Sequence, residues 1–89
     1  MLRSGTVRGY DFNRMVMTFM MMNGLVEVPC AISTEAMDFL DTPTRATPSQ
    51  REDQFLRLRK QIEARTVKKF QDNELEGKPP GIVLRRIDF

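Results

Sequence analysis

From Arg14 to Ile32, apolar side chains recur at every second position on both sides of Asn23-Gly24, the spacing of two half-buried strands joined by a tight turn. Asn-Gly suits a type I′ reversal, in which both central residues take positive φ, so the segment predicts an antiparallel hairpin. With Asn23 and Gly24 as the loop, Met22 lies opposite Leu25, Phe19 opposite Val28, Met17 opposite Cys30 and Met15 opposite Ile32. One face then collects Met15, Met17, Phe19, Met21, Val26, Val28, Cys30 and Ile32, and the other carries Arg14, Thr18, Met20, Glu27 and Pro29. The first is a core face. A slip by one residue would mix the two sets, so turn chemistry and apolar pattern agree on one alignment. Pro29 lacks an N–H, which places the second strand at a sheet edge or turns the missing donor to solvent.

Past the hairpin the period changes from two to between three and four. Ser33 or Thr34 caps a short helix with Glu35 in its first turn and Ala36, Met37 and Leu40 inward. Pro43 stops it beyond about Asp41, and Thr42 to Ala46 reads as a loop. Thr47, Pro48 and Gln50 form the next helix start, with Ser49 and Glu52 as a second capping box. Phe55, Leu58, Ile62, Thr66 and Phe70 then make one stripe, with Leu56 and Val67 on a shoulder, as expected of a long helix laid on a sheet. The helix ends between Phe70 and Leu75, with Gly77 as the stop signal before Lys78-Pro79-Pro80.

Ile82 to Phe89 reads as a last strand with Val83, Ile87 and Phe89 on one side and Arg86 and Asp88 on the other. Residues 1 to about 12 hold Gly5, Gly9 and no sustained period, so they read as a loosely ordered arm with a short strand at Thr6 to Tyr10. The expected fold is α+β: an antiparallel hairpin plus a C-terminal strand in one small sheet, packed against one long and one short helix. It is a single domain over residues 1–89 with its core at 13–89.

Composition narrows the function classes. With 40% apolar and 29% charged residues the chain is ordinary for a globular protein, and 89 residues leave little room for a deep cleft. A net charge of +2 permits nucleic acid without implying it. The lone Cys30 cannot close an intramolecular disulfide, which favours a reducing cytoplasm. The longest apolar stretch, Met15 to Met22, is broken by Thr18 and is shorter than the roughly 20 residues that span a bilayer, so no membrane role is expected. The N-terminus has no unbroken apolar stretch of the kind that marks a signal peptide.

Candidate chemistry is sparse. The chain has no His, which removes the usual general base near neutral pH and the commonest metal ligand. Cys30 falls among apolar side chains and reads as a structural cysteine, although the helix start at Ser33-Thr34 is near. The methionines from Met15 to Met22 alternate between two strand faces, so they pack a core and do not surround one copper ion. No phosphate-loop or dinucleotide glycine spacing exists, and no cofactor is expected. Two candidate contact sets remain. Met20, Met22 and Leu25, with Val16, are apolar on the outer side of the hairpin and ask for a cover. Arg57, Lys60, Arg65 and Lys68 share the outward side of the long helix. Arg59 lies inside the apolar stripe with Glu63 one turn on, and the two are read as a structural pair at the helix–sheet seam.

The string Cys30-Ala31-Ile32-Ser33-Thr34-Glu35-Ala36 after a strand, Asn-Gly, strand unit, followed by Phe55, Arg59, Ile62 and Glu63, resembles a YrdB-like family of small bacterial proteins of unknown function. The likeness runs from about Met15 to Leu84, and this chain departs from it in its basic long helix and Met-rich first strand. What the resemblance implies is a cytoplasmic bacterial α+β domain with no assigned activity, and it carries over no functional residues. Together these readings point to a non-enzymatic interaction or regulatory module that binds a protein partner or a second copy of itself through the hairpin's outer face or a strand edge. The alternative is nucleic-acid binding through Arg57, Lys60, Arg65 and Lys68.

Overall fold

Gly24 takes φ +65° and is followed by Leu25, and these two residues make the reversal between Asn23 and Val26. Only the first loop residue has positive φ, the pattern of a II′ turn led by glycine. The computed structural model describes residues 2–41 and 46–89. The order is β1 (Leu2–Asp11), β2 (Val16–Asn23), β3 (Val26–Ser33), α1 (Thr34–Leu40), α2 (Arg51–Gln71) and β4 (Ile82–Leu84), with 3₁₀ turns at Pro48–Gln50 and Arg86–Asp88. The four strands form one mixed sheet in the order β1-β2-β3-β4, antiparallel except for the parallel pair β3 and β4. A parallel partner needs a long crossover, and α1 and α2 provide it. The expected α+β class is the one observed.

The hairpin loop therefore differs from the expected Asn23-Gly24. Phe19 pairs with Cys30, Met17 with Ile32 and Met21 with Val28, two residues away from the expected register. Glycine tolerates positive φ more readily than asparagine, and the II′ form needs it only once. A shift of two preserves the side each residue faces. The core face consequently holds Met17, Phe19, Met21, Val28, Cys30 and Ile32, all buried. Met15 and Val26 drop out of the expected set: Met15 sits in the β1–β2 turn at φ +54°, and Val26 lies at the exposed hairpin tip. The Met15 carbonyl accepts the Thr34 N–H at 3.0 Å, tying that turn to the start of α1.

The N-terminal arm is a strand. β1 pairs along the whole of β2, but its ladder shifts between Ser4 and Val7 and again between Val7 and Gly9. These bulges hide the alternation that would have marked it. At Gly5 the backbone approaches β2 so closely that a Cβ would lie 2.6 Å from the Met20 carbonyl oxygen.

Ser33 caps α1 through its Oγ, which accepts the Ala36 N–H at 3.0 Å, and Thr47 opens the next start by donating its N–H to Gln50 Oε1 at 2.9 Å. The Pro43 stop falls outside the described residues. α2 ends where Asn73 takes φ +59°, with the Asn73 N–H on the Phe70 carbonyl and the Glu74 N–H on that of Lys69. That is a Schellman closure, so Asn73 rather than Gly77 terminates the helix. Phe55 and Ile62 are fully buried, and the Phe55 ring meets Phe19 at 4.9 Å between centroids. Burying each contributes roughly 1.5–3 kcal/mol before entropy is subtracted.

The last strand is shorter than expected and its sides are reversed. β4 covers only Ile82–Leu84, where Ile82 and Leu84 face the core and Val83 faces away, while Ile87 is 89% exposed. Asp88 accepts the Arg85 N–H at 2.7 Å, and this cap turns the chain into a 3₁₀ turn. β3 is a central strand, so Pro29 does not mark an edge; β4 pairs from Cys30 onward, and Gly81 packs on Pro29.

Urea unfolding of three alanine variants tests this geometry. Gly24→Ala should cost about 1 kcal/mol through positive φ alone, because nothing lies within 4 Å of its Cβ position. Asn23→Ala should change stability by less than about 0.5 kcal/mol. Gly81→Ala should cost the most, roughly 1–3 kcal/mol or more, since its Cβ would meet the Pro29 carbonyl oxygen. A larger loss at Asn23 than at Gly24 would restore the expected loop.

Candidate functional site

With Phe55, Ile62, Ala36 and Met37 filling one side of the sheet, the opposite side keeps the even-numbered residues of β2. Across the strands, that side reads Arg3, Met22 and Glu27 in one row, Met20 and Pro29 in the next, and Gly9, Thr18, Ala31 and Val83 in a third. Apart from Gly9, the last two rows floor a cleft of about 480 Å³. Arg8 and Arg14 stand on one side of it, and Gly77, Lys78 and Pro79 on the other.

The second wall is held from both ends. Glu76 and Gly81 exchange backbone hydrogen bonds of 2.9 and 2.8 Å, closing the four residues between them into a loop. Arg85 grips the Glu76 carboxylate with two nitrogens at 2.8 and 3.0 Å. That hydrogen-bonded pairing holds the Glu76 carboxyl below its usual range. Glu76 lines the cleft, but its charge is answered by Arg85.

Three polar clusters join the remaining elements. Arg59 Nε donates to Glu63 Oε2 at 2.9 Å, as its spacing predicted, and the pair reaches β1: Arg59 Nη2 donates to the Gly5 carbonyl and Ser4 Oγ to Glu63. At the start of α2, Arg51 and the fully buried Gln54 both bond Asp38, and Gln54 and Arg57 bond Asp41, clamping α1 to α2. At its other end the buried Lys69 Nζ donates to the Val83 carbonyl at 2.9 Å and lies 3.2 Å from Asp88, which Arg65 also approaches. The last two clusters have no local sequence signal, because their members come from separate elements.

The sequence pattern of the family "Protein of unknown function (DUF1488)" matches residues 4–79, which run from β1 to the wall of the cleft. The chain belongs to the DUF1488 family. A protein of unknown function from the DUF1488 family of Shewanella loihica PV-4, known from a crystal structure at 1.60 Å resolution, has the same fold, with a TM-score of 0.81, 15% identity, and 94% of this chain and 92% of that one covered. No curated protein matches.

In this DUF1488 protein the two predicted contact sets are not brought together. Met20 is half-buried in the cleft floor, Met22 lies half-buried toward the hairpin tip, and Leu25 is 98% exposed at the tip itself. Val16, expected to need a cover, is already buried. Arg57, Lys60, Arg65 and Lys68 belong to α2, which packs on the opposite side of the sheet. Arg57 is bound to Asp41 at 2.7 Å, Arg65 donates to the Asp88 carbonyl at 2.6 Å, and Lys68 is bound to Asp72 at 2.9 Å, while Lys60 is exposed. Reasoning from sequence put Arg14 on the face of Thr18, Met20 and Pro29 but did not join it with Arg8 and Lys78, the last of which is 64 residues further along the chain and lines the same cleft only in the fold.

Cys30 lies on the core face with its Sγ 3.4 Å from the Val28 carbonyl, and burial pushes its thiol up to about 12. Among the described residues no group of three His, Cys, Asp or Glu could hold a metal, and no helix is long and apolar enough to cross a membrane.

Two measurements check these environments. A thiol reagent should label Cys30 only on unfolding, since a pKa raised from 9.0 to about 12 lowers the reactive thiolate about a thousandfold at neutral pH. For Asp88, burial pushes the carboxyl up, but the Arg85 N–H, Lys69 and Arg65 together outweigh it and leave it below the ordinary 3.8. Its contribution to stability is therefore complete above that value and lost as pH falls through the lower folded one. Asp88→Asn should cost about 3 kcal/mol at pH 7 and flatten the acid limb of the unfolding profile, because the buried Lys69 loses its counter-charge.

Proposed function

We propose that this chain is a non-enzymatic interaction module of the bacterial cytoplasm, and that it contacts a protein partner, in the first place a second copy of itself, through the hairpin end of the helix-free side of its sheet. The observation that carries the reading is the apolar run formed there by Met20 and Met22 with Leu25 at the tip, which no helix covers among the described residues. Methionine on such a surface adapts its shape to a partner at little cost. The sheet edges favour the face over edge pairing: β1 is broken by two bulges, and β4 has only three residues, with the Val83 carbonyl taken by Lys69.

A non-enzymatic role is supported by the protonated, buried Cys30 and by a sequence without His. The YrdB-like likeness fits the same reading. A nucleic-acid contact through Arg57, Lys60, Arg65 and Lys68 is less favoured, because three of the four are already bound within the chain.

Light scattering over a concentration series tests the proposal. The mass should rise from 10.3 kDa toward twice that value at concentrations on the order of 100 µM, as for a small, weak interface. Met22→Asp with Leu25→Asp should hold the chain at the monomer mass while changing stability by less than about 1 kcal/mol. A constant monomer mass in the unaltered chain contradicts the second copy as partner.

A further inference from the structure

We propose that the cleft at the other end of this face is a binding site for a small amphipathic anion: a carboxylate or phosphate monoester carried on an apolar body. The proposal goes beyond the protein contact at Met22 and Leu25 and stands or falls separately from it.

Charge is the first argument. Arg8, Arg14 and Lys78 reach the cleft from β1, from the following turn and from the wall loop. Among the described residues Arg8 and Lys78 make no ion pair, and Arg14 has only Asp11, at 3.9 Å. The carboxylate of the cleft, Glu76, is held by Arg85 and is not available to balance them. Three cations from β1, the following turn and the wall loop, set against Asp11 alone once Glu76 is taken, leave a net positive field over a concave surface. A concave surface concentrates that field on whatever enters.

Shape and floor define the rest of the ligand. A volume of about 480 Å³ lies within the range of roughly 300–1,000 Å³ usual for small-molecule sites. The floor between the cations is Met20, Pro29, Ala31 and Val83, which offers an apolar body contact area but few hydrogen bonds. The wall needs no rearrangement to form, since two backbone hydrogen bonds and the Arg85 pair already fix it. A bare anion would leave the floor wet, and a neutral apolar molecule would leave the cations unused. Only a ligand with both parts satisfies the whole surface.

The test is a titration of the ¹⁵N-labelled full chain with sodium octanoate and n-octyl phosphate, below their micelle concentrations, followed by amide shifts. At least one of the two anions should give saturable shifts at Thr18, Ala31, Gly77 and Val83. Octyl glucoside and inorganic phosphate should each bind about tenfold more weakly or worse, one lacking the charge and the other the apolar body. Arg8→Glu with Lys78→Glu, both at exposed positions, should weaken binding about tenfold or more while the rest of the amide spectrum stays in place. The proposal is overturned if neither anion saturates, if octyl glucoside binds as well as they do, if the shifts map to Leu25 and Val26, or if the charge reversals leave affinity unchanged. Masses measured on the same samples keep the two readings apart: a monomer that binds octanoate retains the cleft site and loses self-association, and a dimer that binds neither anion does the reverse.

Discussion

The two-residue reversal at Gly24-Leu25 decides which side of β2 and β3 every residue faces, and all later packing inherits that decision. Side chains alternate with a period of two, so an odd slip would put Thr18 and Met20 under the helices and expel Phe19. An even slip changes partners but not sides. Met17, Phe19 and Met21 therefore meet Cys30, Ile32, Phe55 and Ile62 in one core, and the remaining side of the sheet is left to Thr18, Met20, Met22, Ala31 and Val83. The cleft and the hairpin patch both lie on this remaining side.

Polar contacts place the helices on that core without supplying most of the energy. Partly exposed pairs such as Arg57 with Asp41 contribute about 0–1 kcal/mol each, whereas Phe55 and Ile62 contribute roughly 1.5–3 each by burial. What the pairs add is position. Arg59 and Glu63 fasten β1 to α2, the Asp38 and Asp41 cluster fastens α1, and Lys69 with Asp88 fastens the C-terminal turn. Lys69 also occupies a carbonyl of β4, so a contact that anchors the helix end also blunts a sheet edge.

How much of this could be read from the sequence follows from the range of each interaction. The hairpin's sidedness, the caps at Ser33 and Thr47, and the Arg59–Glu63 pair depend on neighbours a few residues away, and they were legible. Of β1 only the short piece from Thr6 to Tyr10 was expected, because register shifts between Ser4 and Gly9 break its period, and the true extent of β4 was concealed by an Asp88 cap acting on Arg85. The parallel pairing of β3 with β4 left no local mark at all. Neither did the cleft, since Arg8, Arg14 and Lys78 become neighbours only after β4 and the 77–80 loop fold against β2 and β3. The resemblance noted in the sequence led to a family of unknown function, and DUF1488 is such a family. The fold class was thus within reach of the chain's local patterns, while the candidate site depended on long-range assembly.

The most direct test of the central claim is methyl NMR of the methionines in the presence of a soluble paramagnetic agent. Protected signals from Met17, Met21 and Met37, with attenuated signals from Met15, Met20 and Met22, are the predicted result. Attenuation of Met17 and Met21 with protection of Met20 and Met22 would mean that β2 faces the other way, and it would contradict both the core and the cleft.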